Sequence, residues 1–389
     1  MLYELKVNSR QKKVFLPKSI PKQSSRMKNY KVIGIMSGSS MDGIDLALCN
    51  ISVEDGKYSY SIEAKHTYAY DDKWRVRLSQ LRKADALAYA KTDVFYGHYL
   101  GGLVNDFVET YNLQPDLVAS HGHTVFHYPD ELITRQVGDG ASLSAICGLP
   151  VVSDFRSMDV AKGGEGAPLV AIGDELLFAE YDYCLNIGGF ANISGLVGEY
   201  RVAFDISPAN ILLNRVARDL NLAYDHDGEI AAKGAINYAL LADLNAIDFY
   251  KMPFPKSLNR DWINEELWHL VKEGEKLSPE DKMKTFVDHI ATQIGKSINY
   301  ISRNQAAGKR VLVTGGGAFN NTLMDYIRTH SEAEFIIPDQ DLVKYKEALI
   351  FALMGVLRVE NNINIRKTFT GAKSDSVSGS LNGDFKNLL

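Results

Sequence analysis

Cysteine is scarce in this chain: Cys49, Cys147 and Cys184 are the only three in 389 residues, far apart, among apolar neighbours and in no CxxC pair. That usage excludes a disulfide framework and a thiol zinc site, and it fits buried thiols in a reducing cytoplasm. Long apolar runs are missing too; no stretch approaches the ~20 residues that a membrane-spanning helix requires. Nor is there an excess of positive charge. The formal net charge is −5, which argues against nonspecific nucleic-acid binding, since that needs a basic face. The first 26 residues depart from this average, with seven Lys/Arg against the single acid Glu4, and they lack the apolar segment of a secretory signal. They read as a weakly ordered arm, or as sequence ahead of a start at Met27, with a basic membrane-surface anchor as the functional alternative.

What is present is enough for two or three domains of ~150 residues each, built from alternating strands and helices. Residues 32–35 read as a buried strand, MSGSSMDG as a polar turn and IDLALCNI as a second strand. After an extended TYAYDD stretch, residues 74–111 carry helical periodicity. A short apolar strand over 116–120 ends at HGHTVFH. Pro150 opens a strand into DFRSMD, followed by GGEGAP and an apolar helix over 169–179. YCLNIGGFANISGLV then repeats the order strand, small-residue turn, strand. Helices are expected over 209–220, 229–242 and 285–303. VLVTGGGAFN reads as a strand, three glycines and a helix start, and a last helix over 347–358 precedes a Ser/Gly/Asn-rich tail. This alternation places the chain in the α/β class.

The chemistry sits in the loops. In MSGSSMDG, Gly38, Ser39, Ser40 and Gly43 are small enough for backbone N–H groups to form a concave anion site, with serine hydroxyls beside them. The loop lacks the GKS/T ending of a P-loop. Asp42 would repel phosphate unless Mg²⁺ lay between them. An ordinary hairpin turn has the same composition, and so has the second loop, NIGGFANIS, where Gly188 and Gly189 are small and Asn192 and Ser194 offer donors. GGGAFN, with Gly315, Gly316, Gly317 and Asn320, would let an adenine or ribose pack flat on backbone at a helix start. Each loop directly follows an apolar strand, and three in this order are unlike chance.

These three loops match the two phosphate motifs and the adenosine motif of the superfamily of sugar kinases, heat-shock chaperones and actin. IGIMSGSSMDGIDLAL, SHGHTVFH, QVGDG, VVSDFRSMDVAKGGEGAPLV, LNIGGFANISGL, FDISPANILLN, PKSLNRDW, TGGGAFNNTLM and KEALIFALMGVLR stand in this order. In sequence and order they resemble the anhydro-N-acetylmuramic acid kinase family, from about residue 30 to 379. The resemblance implies an α/β, two-lobed, actin-like (ribonuclease H-like) ATPase fold with a cleft between the lobes. Residues 1–28 would be the basic arm, 29–145 plus 360–389 the first lobe and 146–359 the second. ATP and Mg²⁺ are the implied cofactors, the cytoplasm the implied location, and a homodimer the implied assembly.

The implied reaction is unusual. In a 1,6-anhydro sugar O6 is already bonded to C1, so a base must activate water to attack the anomeric carbon while the departing O6 takes the γ-phosphoryl group. The rest is positioning and charge neutralisation. The resemblance gives the base as Asp205, in FDISPAN; read without it, Asp205 would cap the helix expected near Pro208. ATP would be held by Gly38, Ser39, Ser40, Met41, Asp42, Gly43, Ile44 and Asp45, by Gly188, Gly189 and Asn192, and by Gly315, Gly316, Gly317 and Asn320. The sugar would meet His123, Thr124, Arg156 and Glu347. Glu347 could instead be a first-turn helix carboxylate favoured by the dipole, and Arg156 a structural ion pair. His121, His123 and His127 have no flanking ligand at a familiar zinc spacing, so no resident metal is expected there. Four departures from the family pattern stand out. FDISPAN lacks the two glycines of FDTGPGN, Glu165 replaces a glutamine, Ser39 a threonine, and KYK (Lys344, Tyr345, Lys346) an acidic pair.

Overall fold

The computed structural model describes residues 27–38, 43–258, 262–273 and 276–388, so the basic arm lies almost wholly outside the described residues. The first sheet contains β1 (Lys28–Ser37), β2 (Ile44–Glu54), β3 (Lys57–Tyr68), β4 (Leu117–Tyr128), β5 (Ile133–Val137), β6 (Val151–Ser153) and, from the C-terminal end, β12 (Ser380–Asn382). The second contains β7 (Tyr183–Ile187), β8 (Phe190–Val197), β9 (Tyr200–Pro208), β10 (Arg310–Thr314) and β11 (Glu334–Ile336). The first runs in the order β12-β6-β4-β1-β2-β3, with β5 on β4, and the second β11-β10-β7-β8-β9.

The two orders are one topology used twice. In each, three antiparallel strands form a meander (β1-β2-β3; β7-β8-β9), and two more run parallel to the meander's first strand (β4, β6; β10, β11). This duplicated sheet is the ribonuclease H-like unit of the actin-like ATPase fold. Parallel neighbours need crossovers, and helices supply them. In chain order they are α1 (Asp72–Gln80), α2 (Ala86–Tyr111), α3 (Gly140–Cys147), α4 (Ser157–Ala161), α5 (Ala171–Leu177), α6 (Asn210–Asp219) and α7 (Glu229–Lys233). Then follow α8 (Tyr238–Ala246), α9 (Trp268–Glu273), α10 (Pro279–Ile301), α11 (Asn321–His330), α12 (Gln340–Val359) and α13 (Lys367–Thr370).

Their ends follow ordinary chemistry. Asp85 caps α2 by accepting from the Ala88 N–H at 2.8 Å, and Asn112 stops it in the left-handed region with φ 49°. Asp339 caps α12 through the Asp341 and Leu342 N–H groups at 3.0 and 2.9 Å. That cap starts α12 seven residues before the helix read from the sequence, so Glu347 lies about two turns in, beyond the reach of the first-turn dipole.

Helix α12 lies between the sheets. Its buried residues share one apolar cluster with Val32, Ala47 and Leu117 of the first sheet and Cys184, Ala203 and Leu312 of the second. Contact with β1 is backbone to backbone: a Cβ on Gly34 would lie 1.8 Å from the Ala348 carbonyl oxygen, so only glycine fits.

Three readings are corrected. β3 was not expected, although KYSYSIEAKHTY alternates between exposed and half-buried residues as an outer strand should. The strand read as ending at HGHTVFH runs on through it, because β5 pairs with it and extends β4 to Tyr128. A division after residue 145 cuts across the first sheet, since β6 hydrogen-bonds with β4 and β12 with β6.

Candidate active site

The second and third glycine loops meet. The β7–β8 turn is stapled to the start of α6: Ala209 N–H donates to the Gly189 carbonyl at 2.8 Å and Asn210 N–H to that of Gly188 at 3.1 Å. Gly315 has φ +83° and, with Gly317, packs on Ile187, where a Cβ would lie 2.7 and 2.3 Å from its atoms. These two glycines are needed by the protein itself. Gly188, Gly189 and Gly316 are different. A Cβ would meet nothing within 4 Å at Gly189 and nothing nearer than 3.6 Å at the other two, and none of the three has the positive φ that favours glycine. Such open backbone fits an anion or a nucleotide better than it fits packing. Asn192 stands on β8 opposite Asp205. Asn320 caps α11 by accepting from the Leu323 N–H at 2.9 Å. Ser194, read as a phosphate donor, instead donates to Asp174 at 2.6 Å and accepts from Arg201 at 2.8 Å.

Asp205 lies on β9, next to a bulge. Ala191 pairs with Ser207 but Asn192 with Asp205, so Ile206 is the extra residue that re-aims the strand. Its backbone N–H donates to the Lys256 carbonyl at 3.0 Å, and its carboxylate accepts from the Leu258 N–H at 2.8 Å. The segment PKSL therefore brackets it from the sheet edge. Burial raises the Asp205 pKa to about 6, Glu165 adds to the rise, and the Leu258 N–H, Arg156 and Lys256 oppose it. Helix α6 begins only at Asn210 with no side-chain cap, so Asp205 is not a capping residue.

Arg156 connects the carboxylates. Its charge acts on Glu347, Asp205 and Asp159, which partly offset the burial that lowers its pKa to about 10, so it stays cationic near neutrality. Nε donates to His121 Nε2 at 2.9 Å and Nη1 to the Gly166 carbonyl, which fixes the guanidinium plane. His121 is driven well below its ordinary pKa by burial and then by Arg156. It is neutral, with Nδ1–H donating to the Gly122 carbonyl at 2.8 Å and Nε2 left to accept. His127 is lowered to about 4 by burial and Arg156, and its Nδ1 lies 3.1 Å from Thr134 Oγ1. Glu165 accepts from Ser257 Oγ at 2.6 Å.

Glu347 approaches from α12. Asn186 Nδ2 lies 3.5 Å from its Oε1, while burial and then Asp45 raise its pKa against Lys346 and Arg156. Asp45 Oδ1 accepts from Thr67 Oγ1 at 2.6 Å on the strand leaving the first loop. Ser39, Ser40, Met41 and Asp42 lie outside the described residues. Of their neighbours, Gly43 passes so close to β3 that a Cβ would meet Thr67 Cγ2 at 2.7 Å, and Ile44 belongs to the core. His123 Nδ1 lies 3.3 Å from Ser37 Oγ, which also bonds Tyr96 OH at 2.8 Å. Thr124 Oγ1 accepts from Gln136 at 3.4 Å. Asp205 and Glu347 thus both feel the charge of Arg156, and Glu347 that of Asp45, whereas His123 and Thr124 stand on β4 beside Ser37 and Gln136.

Sequence reasoning assigned no role to Lys256 or Asn186. Lys256 donates to the Phe249 carbonyl at 2.9 Å, and burial lowers its pKa to about 8 while Asp205 works to raise it. The available signal was PKSLNRDW itself, read only as part of a resemblance.

A solved structure, component A of Acidaminococcus fermentans (R)-2-hydroxyglutaryl-CoA dehydratase, covers 83% of this chain and 96% of its own at TM-score 0.41 and 15% identity. The anhydro-N-acetylmuramic acid kinase of Sulfurovum sp. (strain NBC37-1) is 32% identical over 91% of this chain and 99% of its own length. That of Pseudomonas savastanoi pv. phaseolicola (strain 1448A / Race 6) is 34% identical over the same shares. The family model described as anhydro-N-acetylmuramic acid kinase matches residues 30–383. The chain belongs to the anhydro-N-acetylmuramic acid kinase family.

Proposed function

We propose that this chain uses ATP and water to open 1,6-anhydro-N-acetylmuramic acid, giving N-acetylmuramic acid 6-phosphate and ADP. Water adds to C1, the C1–O6 bond breaks, O6 takes the γ-phosphoryl group, and the proton lost by water passes to Asp205. One observation carries the base assignment: a buried carboxylate at a strand bulge, with a pKa of about 6, beside Arg156 and Lys256. A base of that pKa is ionised at neutral pH yet basic enough to accept a proton. Leu258 N–H holds one of its oxygens, and the other would take the proton from water.

The nucleotide's phosphates lie on Gly188 and Gly189 and on the first loop (Gly38 to Asp45), with adenosine along Gly316. Arg156 and Glu347 orient the sugar, with His123 and Thr124 at its margin. Asp45, on the strand that leaves the first loop, is a hard oxygen donor that would hold Mg²⁺, which would neutralise phosphate charge when bound with ATP. The two sheets are the cores of two lobes that close over the sugar. The working unit is a homodimer in the cytoplasm, where ATP is at hand.

The test is ADP release with the anhydro sugar, N-acetylglucosamine and glucose side by side. Turnover with the anhydro sugar alone is expected; turnover only with an open sugar overturns the reading.

A further inference from the structure

Lys346 is fully enclosed, yet it carries a charge. Its Nζ lies 2.6 Å from Asp174 Oδ1, with the two side chains only 4% and 3% exposed, and 5.3 Å from the centre of the Phe178 ring. Burial works against the ammonium, but Asp174 overrides it and the pKa of Lys346 ends above its ordinary value. The other Asp174 oxygen accepts from Ser194 Oγ at 2.6 Å, and Ser194 accepts from Arg201 Nη1 at 2.8 Å. Arg201 is four residues before Asp205 on the same strand, β9, and Lys346 is the residue before Glu347 on α12. One ion pair and two hydrogen bonds therefore link the strand of one site carboxylate to the helix of the other.

We propose that Lys346 and Asp174 are positioning residues that hold Glu347 at a set distance from Asp205; this rests on the reading of Glu347 as a sugar-orienting group. Three consecutive residues make the device. Lys346 is clasped to α5 and, through Ser194 and Arg201, to β8 and β9. Ala348 is seated against Gly34 of the first sheet, with its carbonyl where a Cβ on that glycine would stand. Glu347, between these two anchors, has no freedom to slide along the helix axis or roll about it. An apolar pair of similar size would serve stability as well as a buried ion pair does, and often better. What the ion pair adds is position, because a 2.6 Å contact between two enclosed charges holds α12 at one place against α5, and Ser194 and Arg201 tie α5 to β8 and β9. Lys346 falls in the KYK that replaces the acidic pair, so the clasp belongs to this chain's own sequence.

The groups facing Glu347 are Asp45 from β2, Asn186 from β7, Arg156 ahead of α4 and Lys346 on its own helix. Lys346→Met leaves the first three in place and frees the helix. The expected result is a roughly 100-fold loss of kcat/KM for the anhydro sugar, the size of effect that follows a misplacement of about 1 Å, with the KM for ATP unchanged. Lys346→Arg should restore most of the loss, and Asp174→Asn should reproduce it. If Lys346→Met does not fold, Lys346→Met with Asp174→Leu removes both charges together and carries the same expectation.

Hydrogen exchange over residues 340–350 supplies a readout that does not depend on turnover. It should quicken in Lys346→Met and return to normal in Lys346→Arg. Unchanged sugar kinetics in a folded Lys346→Met protein overturns the proposal, and so does a loss shared equally by sugar and ATP. If the wild-type chain fails to turn over the anhydro sugar, the functional reading falls; unchanged exchange would sink the clasp separately.

Discussion

Asp205, which is buried, and Glu347, which is half-buried, are both within the influence of Arg156, yet they are held by different means. Asp205 is set by backbone: a bulge in β9 turns it, and two main-chain bonds with residues 256 and 258 fix it. Glu347 is set by packing: its helix is wedged between two sheets, and its side-chain bond from Asn186 is a long 3.5 Å. A group pinned by backbone keeps its place when neighbouring side chains change. A group carried on a wedged helix depends on every contact that helix makes. The first arrangement suits a group that must act at one point, and the second makes Glu347 the more sensitive of the two to changes around it.

Removing each carboxylate tests the comparison most severely. Asp205→Asn should lower turnover by ~10³-fold, within the range that a general base contributes, while binding of ATP measured by calorimetry stays as in wild type. Full activity would show that the bulge aims nothing of consequence. Glu347→Gln should cost about 10- to 100-fold in kcat/KM for the sugar, as expected for one charged hydrogen bond. A loss as deep as that of Asp205→Asn would erase the distinction drawn between them.

Stability should move in the opposite direction. Asp205 has an ordinary pKa of 3.8 and a folded one of about 6. The folded state therefore binds this proton more tightly, and the stability it contributes is present below about pH 4 and lost as pH rises through 6. At pH 7 the buried charge costs on the order of 3 kcal/mol. Asp205→Asn should accordingly unfold at a higher temperature than wild type at pH 7, with the difference gone at pH 4. Equal melting at both values would contradict the raised pKa.

The smallest effect sharpens the same point. Turnover of the wild type should fall on an acid limb near pH 6, because only the ionised Asp205 accepts a proton. Glu165→Gln removes a like charge that helps to raise that pKa, so the limb should shift slightly to lower pH. An upward shift would mean that Glu165 acts otherwise than through its charge.

Much of this was legible before any coordinates. The small-residue loops after apolar strands were legible as turns, and the paired strands around the first two announced the doubled sheet. Local signals carry that much, since turns and buried strands are written in contiguous residues. What escaped is non-local. The bulge at Ile206 depends on how β8 and β9 register, which no run of residues states. The early start of α12 depends on the Asp339 cap, hidden behind the charged QDLVKYK. Lys346 read as a departure from a family pattern, because its partner Asp174 is remote in the chain. β3 alternated plainly and was passed over, and that signal was available.

The central claim is that water, not a sugar hydroxyl, is the nucleophile at the anhydro bridge. Mass analysis of product formed in ¹⁸O-enriched water tests it directly, with quenching before the anomeric oxygen exchanges. The account predicts an opened sugar phosphate carrying one ¹⁸O at C1. A phosphorylated sugar that keeps its 1,6-bridge and holds no label would contradict it.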